Sequence, residues 1–172
     1  MADVILVDIF DNDIGIAEKI QAHENAMLHR AFSLFVVHNG NMLIQQRAYT
    51  KYHSPGKWAN ACCSHPWRGK TLEECAMQRA KEELGIEISK PKELFDFIYF
   101  SEYDNGLCEY ELDHVLIVDY DGSLSINREE INDVKWINID DLSIDIVKYP
   151  QKYTTWFLNC VPRVIKYIKE NF

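Results

Sequence analysis

Residues 71–86 read TLEECAMQRAKEELGI, and they form the clearest helix signal in the chain. Leu72, Cys75, Ala76, Ala80 and Leu84 fall at helical spacing along one face, which predicts a helix over 71–84. Thr71 with Glu74 three residues on is a capping box, and Gly85 is placed as a C-terminal stop. On both sides of this helix the pattern changes to strands. Residues 4–10 read as a strand followed by a turn at Asp11-Asn12-Asp13. Residues 31–37 and 42–46 read as antiparallel strands joined by the hairpin turn His38-Asn39-Gly40-Asn41. Ser54-Pro55-Gly56 breaks the chain. Further strands are expected over 94–100, 109–119 and 134–137, with a turn at Asp121-Gly122. Residues 139–142 open a short helix, and 153–168 read as a helix broken near Pro162. Several strands, few helices and hairpin connections indicate the α+β class.

Composition bounds the function. The 172 residues are 47% hydrophobic and 26% charged, an ordinary globular balance. No repeat, low-complexity segment or linker interrupts them, so a single domain over 1–172 is expected. No run approaches the roughly 20 apolar residues of a membrane helix. Val4–Val7 is flanked by Asp3 and Asp8 rather than a basic region, so it is not read as a secretory signal. Lys and Arg number 18 against 27 Asp and Glu, a net charge of −9 that argues against nucleic-acid binding but not against a small anion. The five cysteines are Cys62, Cys63, Cys75, Cys108 and Cys160, odd in number and without a C-x-x-C pair. They suggest a reducing cytoplasm and no thiolate zinc clamp. Cys75, Cys108 and Cys160 read as small buried hydrophobes.

Four groups of residues could carry chemistry. His23, His29 and His65 are candidate imidazole ligands, and Glu109 and Glu111 project to one face of a strand. Two carboxylates on a buried face repel each other, and a zinc-, manganese- or iron-class ion would remove that cost. The alternative is a solvated carboxylate face with scattered histidines. Arg79 and Glu83 share a helix face at i and i+4, either as a surface ion pair or as part of a helix holding a metal near phosphate. Cys63 is a candidate acid/base or nucleophile. Lys19, Arg47, Lys51 and Arg79 could form one anion pocket, although singly each reads as a solvated surface charge. His38, His53 and His114 have no evident partner and read as surface or packing residues.

Leu28-His29-Arg30-Ala31-Phe32-Ser33, Asn60-Ala61-Cys62-Cys63-Ser64-His65-Pro66 and Glu109-Tyr110-Glu111 together resemble type I isopentenyl-diphosphate isomerases, a family with a Nudix-like fold. The resemblance runs from about Lys19 to Trp156. Ordinary Nudix hydrolases carry G-x5-E-x7-R-E-U-x-E-E-x-G-U, with U apolar. Aligned on Gly85, only Glu82-Glu83-x-Gly85-Ile86 survives here. The R-E pair falls on Gln78-Arg79, and the upstream Gly and Glu on Ser64 and Lys70.

The resemblance implies a mixed central sheet with flanking helices and a metal-dependent 1,3-allylic proton transposition. It implies that His23, His29, His65, Glu109 and Glu111 bind Mn²⁺ or Zn²⁺, and that Glu83 helps hold a Mg²⁺ arriving with the diphosphate. Cys63 and Glu111 would be the acid/base pair, with Tyr99 hydrogen-bonded near Glu111. Trp156 would face the hydrocarbon, and Lys19, Arg47, Lys51 and Arg79 would contact the diphosphate. Cys62 is expected to be structural. The expected partner is a small diphosphate, with neither nucleic acid nor membrane, for a monomer or weak homodimer. Two other readings compete: a Nudix hydrolase acting on a nucleoside diphosphate derivative, which would not need Cys63, and a metal-binding module without turnover.

Overall fold

A computed structural model of the chain describes residues 3–171. In chain order the elements are β1 (Asp3–Val7), β2 (Asp13–Glu18), α1 (Lys19–Glu24), β3 (His29–His38), β4 (Asn41–Arg47), β5 (Trp58–Asn60) and β6 (Cys62–Ser64). Then come α2 (Leu72–Leu84), β7 (Lys92–Glu102), β8 (Cys108–Asp119), β9 (Ile131–Asn138), α3 (Ile139–Lys148), a 3₁₀ turn (Pro150–Lys152) and α4 (Thr155–Asn171). The described strands form one nine-stranded sheet. β3 and β8 lie side by side in parallel, and the other paired strands are antiparallel. This is the α+β class that the pattern predicts, with the mixed sheet and flanking helices that the resemblance implies.

Alternation along the central strands builds two cores. Phe32, Leu34 and Val36 of β3 face α2 and its buried Cys75, Ala76, Ala80 and Leu84. Phe35 and Val37 face the other way, onto Phe157, Cys160, Val161 and Val164 of α4. Following that second face back along β8, apolar Ile117 and Val115 give way to Asp113, Glu111 and Glu109. The neighbouring β3 residues change in parallel, from Phe35 to Ser33 and His29. One face of the sheet is therefore apolar under α4 and polar beyond its end, and the site lies there.

Local chemistry sets the element ends. Thr71 and Glu74 form the expected reciprocal cap of α2, and Gly85 ends the helix at φ +67°. A Cβ at Gly85 would stand 2.5 Å from the Ser125 carbonyl oxygen. Asn39 and Gly40 have φ of +46° and +72°, as the two-residue turn joining β3 to β4 requires.

Three expectations need correction. The run 4–10 is strand only to Val7, because the Asp8 carboxylate accepts from the backbone N–H groups of Phe10 and Asn12 and folds the chain into a turn. The C-terminal helix begins at Thr155 rather than 153, because Thr154 N–H donates to the Trp58 carbonyl instead. That helix also runs unbroken through Pro162. An interior proline costs about 3 kcal/mol, but each fully buried large apolar side chain recovers about 1.5–3 kcal/mol. Trp156, Phe157, Val161, Val164, Ile165 and Ile168 are all buried on the sheet side. Among the described residues, no helix is long and apolar enough to cross a membrane.

Candidate active site

The start of β8 lies between β3 and β7, so His29, Glu111 and Tyr99 share one row of the sheet. His65 follows β6, which pairs with β3, and His23 comes from α1. One ligand atom each of His23, His29, His65 and Glu111 lies within 4.8 Å of the others. Glu111 Oε1 is 2.9 Å from His65 Nε2 and 3.3 Å from His29 Nε2. His23 Nδ1 and His29 Nδ1 are each 2.7 Å from a backbone carbonyl, of Lys19 and Met27. A carbonyl only accepts, so each Nδ1 donates; burial holds His23 below its usual pKa and leaves its neutral ring an Nε2 lone pair, whereas at His29 burial is outweighed by the hydrogen bond to Glu111, which raises its pKa. His23 Nε2 is buried without a partner. Three imidazoles converging on one carboxylate make a donor set that fits a divalent cation.

Glu109 stands apart from this group. Its Oε2 accepts from Tyr99 at 3.1 Å and from Tyr103, and its Oε1 is 3.2 Å from His53 Nε2. Tyr99 also donates to Glu111 at 2.6 Å, so one hydroxyl links the two carboxylates. Their proton affinities diverge. Burial and then the charge of Glu111 push Glu109 up to about 8. Burial opposes ionisation of Glu111 too, but hydrogen bonds from His29 and His65 outweigh it and hold that carboxyl well below its usual range. His65 is held down to about 3 by burial.

Cys62 and Cys63 are neighbours on β6 and point to opposite faces. Cys62 is buried in the α2 core, as expected of a structural residue. The Cys63 thiol donates to Asn60 Oδ1 at 3.0 Å and accepts from Trp156 Nε1 at 3.0 Å. Burial raises its pKa, so the thiol keeps its proton. Asn60 is itself fixed, donating to the carbonyls of Leu34 and Cys62. Of the remaining cysteines, Cys75 and Cys160 are buried as expected, whereas Cys108 is half-exposed at the edge of β8.

One cavity of about 160 Å³ joins these groups to the cationic residues. Lys19, Arg47, Lys51, Arg79, Glu83 and Trp156 line it together with Cys63, His65, Tyr99, Glu109 and Glu111. His23 and His29 are buried beside His65. The Arg47 guanidinium lies 5.3 Å from the Trp156 ring centre. The Arg79–Glu83 pair is no surface bridge, because Glu83 is buried and also meets Gln45 Nε2 at 3.4 Å. Burial holds the Lys19 ammonium below its usual pKa.

Some lining residues carry no sequence signal strong enough to single them out. Asp113 continues the two-residue period of Glu109 and Glu111, and accepts from Ser33 at 2.7 Å. Glu130 pairs with Lys51 and comes from the loop before β9. His53, read from sequence as a surface or packing residue, is buried at the cavity beside Glu109. The other two histidines of that group have partners as well: His38 meets Asp119 at 3.0 Å, and buried His114 meets Glu93 at 2.6 Å.

Comparison with known proteins shows the family and the fold. The sequence model of the NUDIX domain matches residues 27–157. The isopentenyl-diphosphate Delta-isomerase 2 of Aromatoleum aromaticum is 41% identical over 163 residues, 94% of this chain and 86% of that protein. The isopentenyl-diphosphate Delta-isomerase 2 of Photorhabdus laumondii is 48% identical over 155 residues, 90% of this chain and 87% of its own. A solved structure from Deinococcus radiodurans superposes with a TM-score of 0.76 at 20% identity, covering 94% of this chain and 98% of that one, a likeness of fold alone.

Proposed function

The chain belongs to the isopentenyl-diphosphate Delta-isomerases of the NUDIX domain family, and from that membership we propose how its cavity interconverts isopentenyl and dimethylallyl diphosphate. One observation carries the reading: a thiol that keeps its proton and a carboxylate that gives its proton up line the same small cavity, beside a buried indole. A 1,3-transposition adds a proton at one carbon and removes one two carbons away, so it needs one donor and one acceptor at once. Cys63 and Glu111 are that pair.

The diphosphate lies against Lys19, Arg47, Lys51 and Arg79, which line the cavity together. The hydrocarbon lies against Trp156. Protonating an unactivated alkene leaves a tertiary cation, and an indole face stabilises a desolvated cation by about 2 kcal/mol or more. Acid–base positioning contributes about 10²–10⁴-fold, and fixed charge in a dry site supplies more. Tyr99 keeps Glu111 directed by its 2.6 Å bond. Asn60 does the same for Cys63.

A Mn²⁺ or Zn²⁺ ion held by His23, His29, His65 and Glu111, with Glu109 beside them, would fix the charge of Glu111, and Glu83 would hold Mg²⁺ bound to the diphosphate. Glu109 is linked to Glu111 through the Tyr99 hydroxyl. The five unpaired thiols suit a reducing compartment, and we place the reaction in the cytoplasm.

Chelation tests the metal dependence. Protein stripped of metal and assayed without added ions is expected to lose turnover by more than about 100-fold, since a bound ion supplies several kcal/mol of charge stabilisation. Mn²⁺ or Zn²⁺ together with Mg²⁺ should restore it. Undiminished turnover in verified metal-free protein would overturn this part of the reading.

A further inference from the structure

The loop over residues 48–57, between β4 and β5, forms a roof over the cavity. Tyr52 faces Lys19, whose ammonium is 5.5 Å from the ring centre, and Lys51 pairs with Glu130. His53 is the innermost of these loop side chains and is only 7% exposed. Its ring stacks on Tyr103 at 4.9 Å and stands edge-on to Trp156 at 5.8 Å. Its Nε2 is 3.2 Å from Glu109, and its own carbonyl accepts from Arg47 at 3.2 Å. Ser54 follows at φ +48°, a left-handed turn that folds the loop back immediately after His53. The roof is tied to a second loop, between β7 and β8, where Asn105 Nδ2 donates to the Tyr52 carbonyl at 2.8 Å.

Folding alone does not account for this placement. His53 Nδ1 is buried with no hydrogen-bond partner, which costs stability. A group kept in a costly position over a reacting centre calls for a role in the reaction.

We infer that His53 is a positioning residue whose ring closes the corner between Trp156 and Glu109 and keeps water from the cation. The inference rests on the isomerase reading above. Protonation of the terminal alkene carbon leaves the tertiary carbon positive, with two fates. Loss of a proton from the adjacent methylene forms the new double bond. Alternatively, a water oxygen bonds to the cationic carbon and releases one proton to the site's base, giving 3-hydroxy-3-methylbutyl diphosphate. The first fate wins only where water is absent.

The test is a product ratio, which a merely structural role would not move. Metal-replete wild type, His53→Ala and His53→Phe are incubated with isopentenyl diphosphate in ¹⁸O-water, and allylic and tertiary-alcohol diphosphates are quantified by mass spectrometry. His53→Ala should raise the ¹⁸O-alcohol at least tenfold relative to the allylic product. His53→Phe fills the corner and should return the ratio to that of wild type. Asn105→Ala, which cuts the tie on the exposed loop, serves as the second variant should His53→Ala fail to fold, and should raise the ratio in the same direction. Allylic product without alcohol from a folded variant overturns the inference. So does complete loss of turnover in both variants, because a shield leaves the acid/base pair in place. Wild type that forms no allylic product would instead sink the isomerase reading itself.

Discussion

Cys63→Ala is expected to lower kcat by about 10³–10⁴-fold, near the upper range for one positioned acid/base group, with little change in KM. The thiol is one of the pair proposed to exchange a proton with the substrate, and its two closest hydrogen-bond partners cannot replace it. Asn60 has only an amide there, and the Trp156 indole donates without accepting. The fold should survive, because the two partners left behind still meet each other: Trp156 Nε1 lies 3.3 Å from Asn60 Oδ1. Steady-state kinetics with a thermal melt on the same sample separates the two effects. A near-normal rate would show that Cys63 is not one of the pair, whatever the family.

Glu111→Gln should be at least as severe, for two reasons acting together. The amide cannot take a proton from the substrate, and it also removes the negative charge among His29 and His65. Changing even a supporting partner of a metal ligand typically costs 10–100-fold in affinity or activity, so loss of a central carboxylate should cost at least about 100-fold. Calorimetric titration with Mn²⁺ or Zn²⁺ measures that loss independently of turnover. The side chain keeps its size, and Tyr99 can donate to the amide oxygen, so the melting temperature should move little. Tight metal binding with normal turnover would remove Glu111 from both roles.

Strand periodicity made part of this site legible in the sequence, and the resemblance supplied the other candidate residues. Glu109 and Glu111 are two apart, so they had to share a face, whereas the short strand that turns Cys62 and Cys63 to opposite faces has no such pattern in the sequence. The same period reaches Asp113, which no motif in the sequence marks. Ser33, its partner in space, is 80 positions away. His53 and Glu130 sit on loops, where no periodicity reports which way a side chain points. The six-residue α1 has no side-chain cap, so Lys19 and His23 were placed by resemblance and not by any helix signal. Pro162 misled for the converse reason: its local penalty is readable in sequence, while the burial of Trp156, Phe157 and Val161 that overrides it belongs to the assembled sheet.

The central claim is that this cavity moves a proton and does not cleave a phosphate bond. Proton NMR of isopentenyl diphosphate mixed with the metal-replete wild type in deuterium oxide tests it most directly. The expected result is dimethylallyl diphosphate carrying solvent deuterium in a methyl group, with the diphosphate intact. Release of inorganic phosphate or of a monophosphate, without any allylic product, would contradict it.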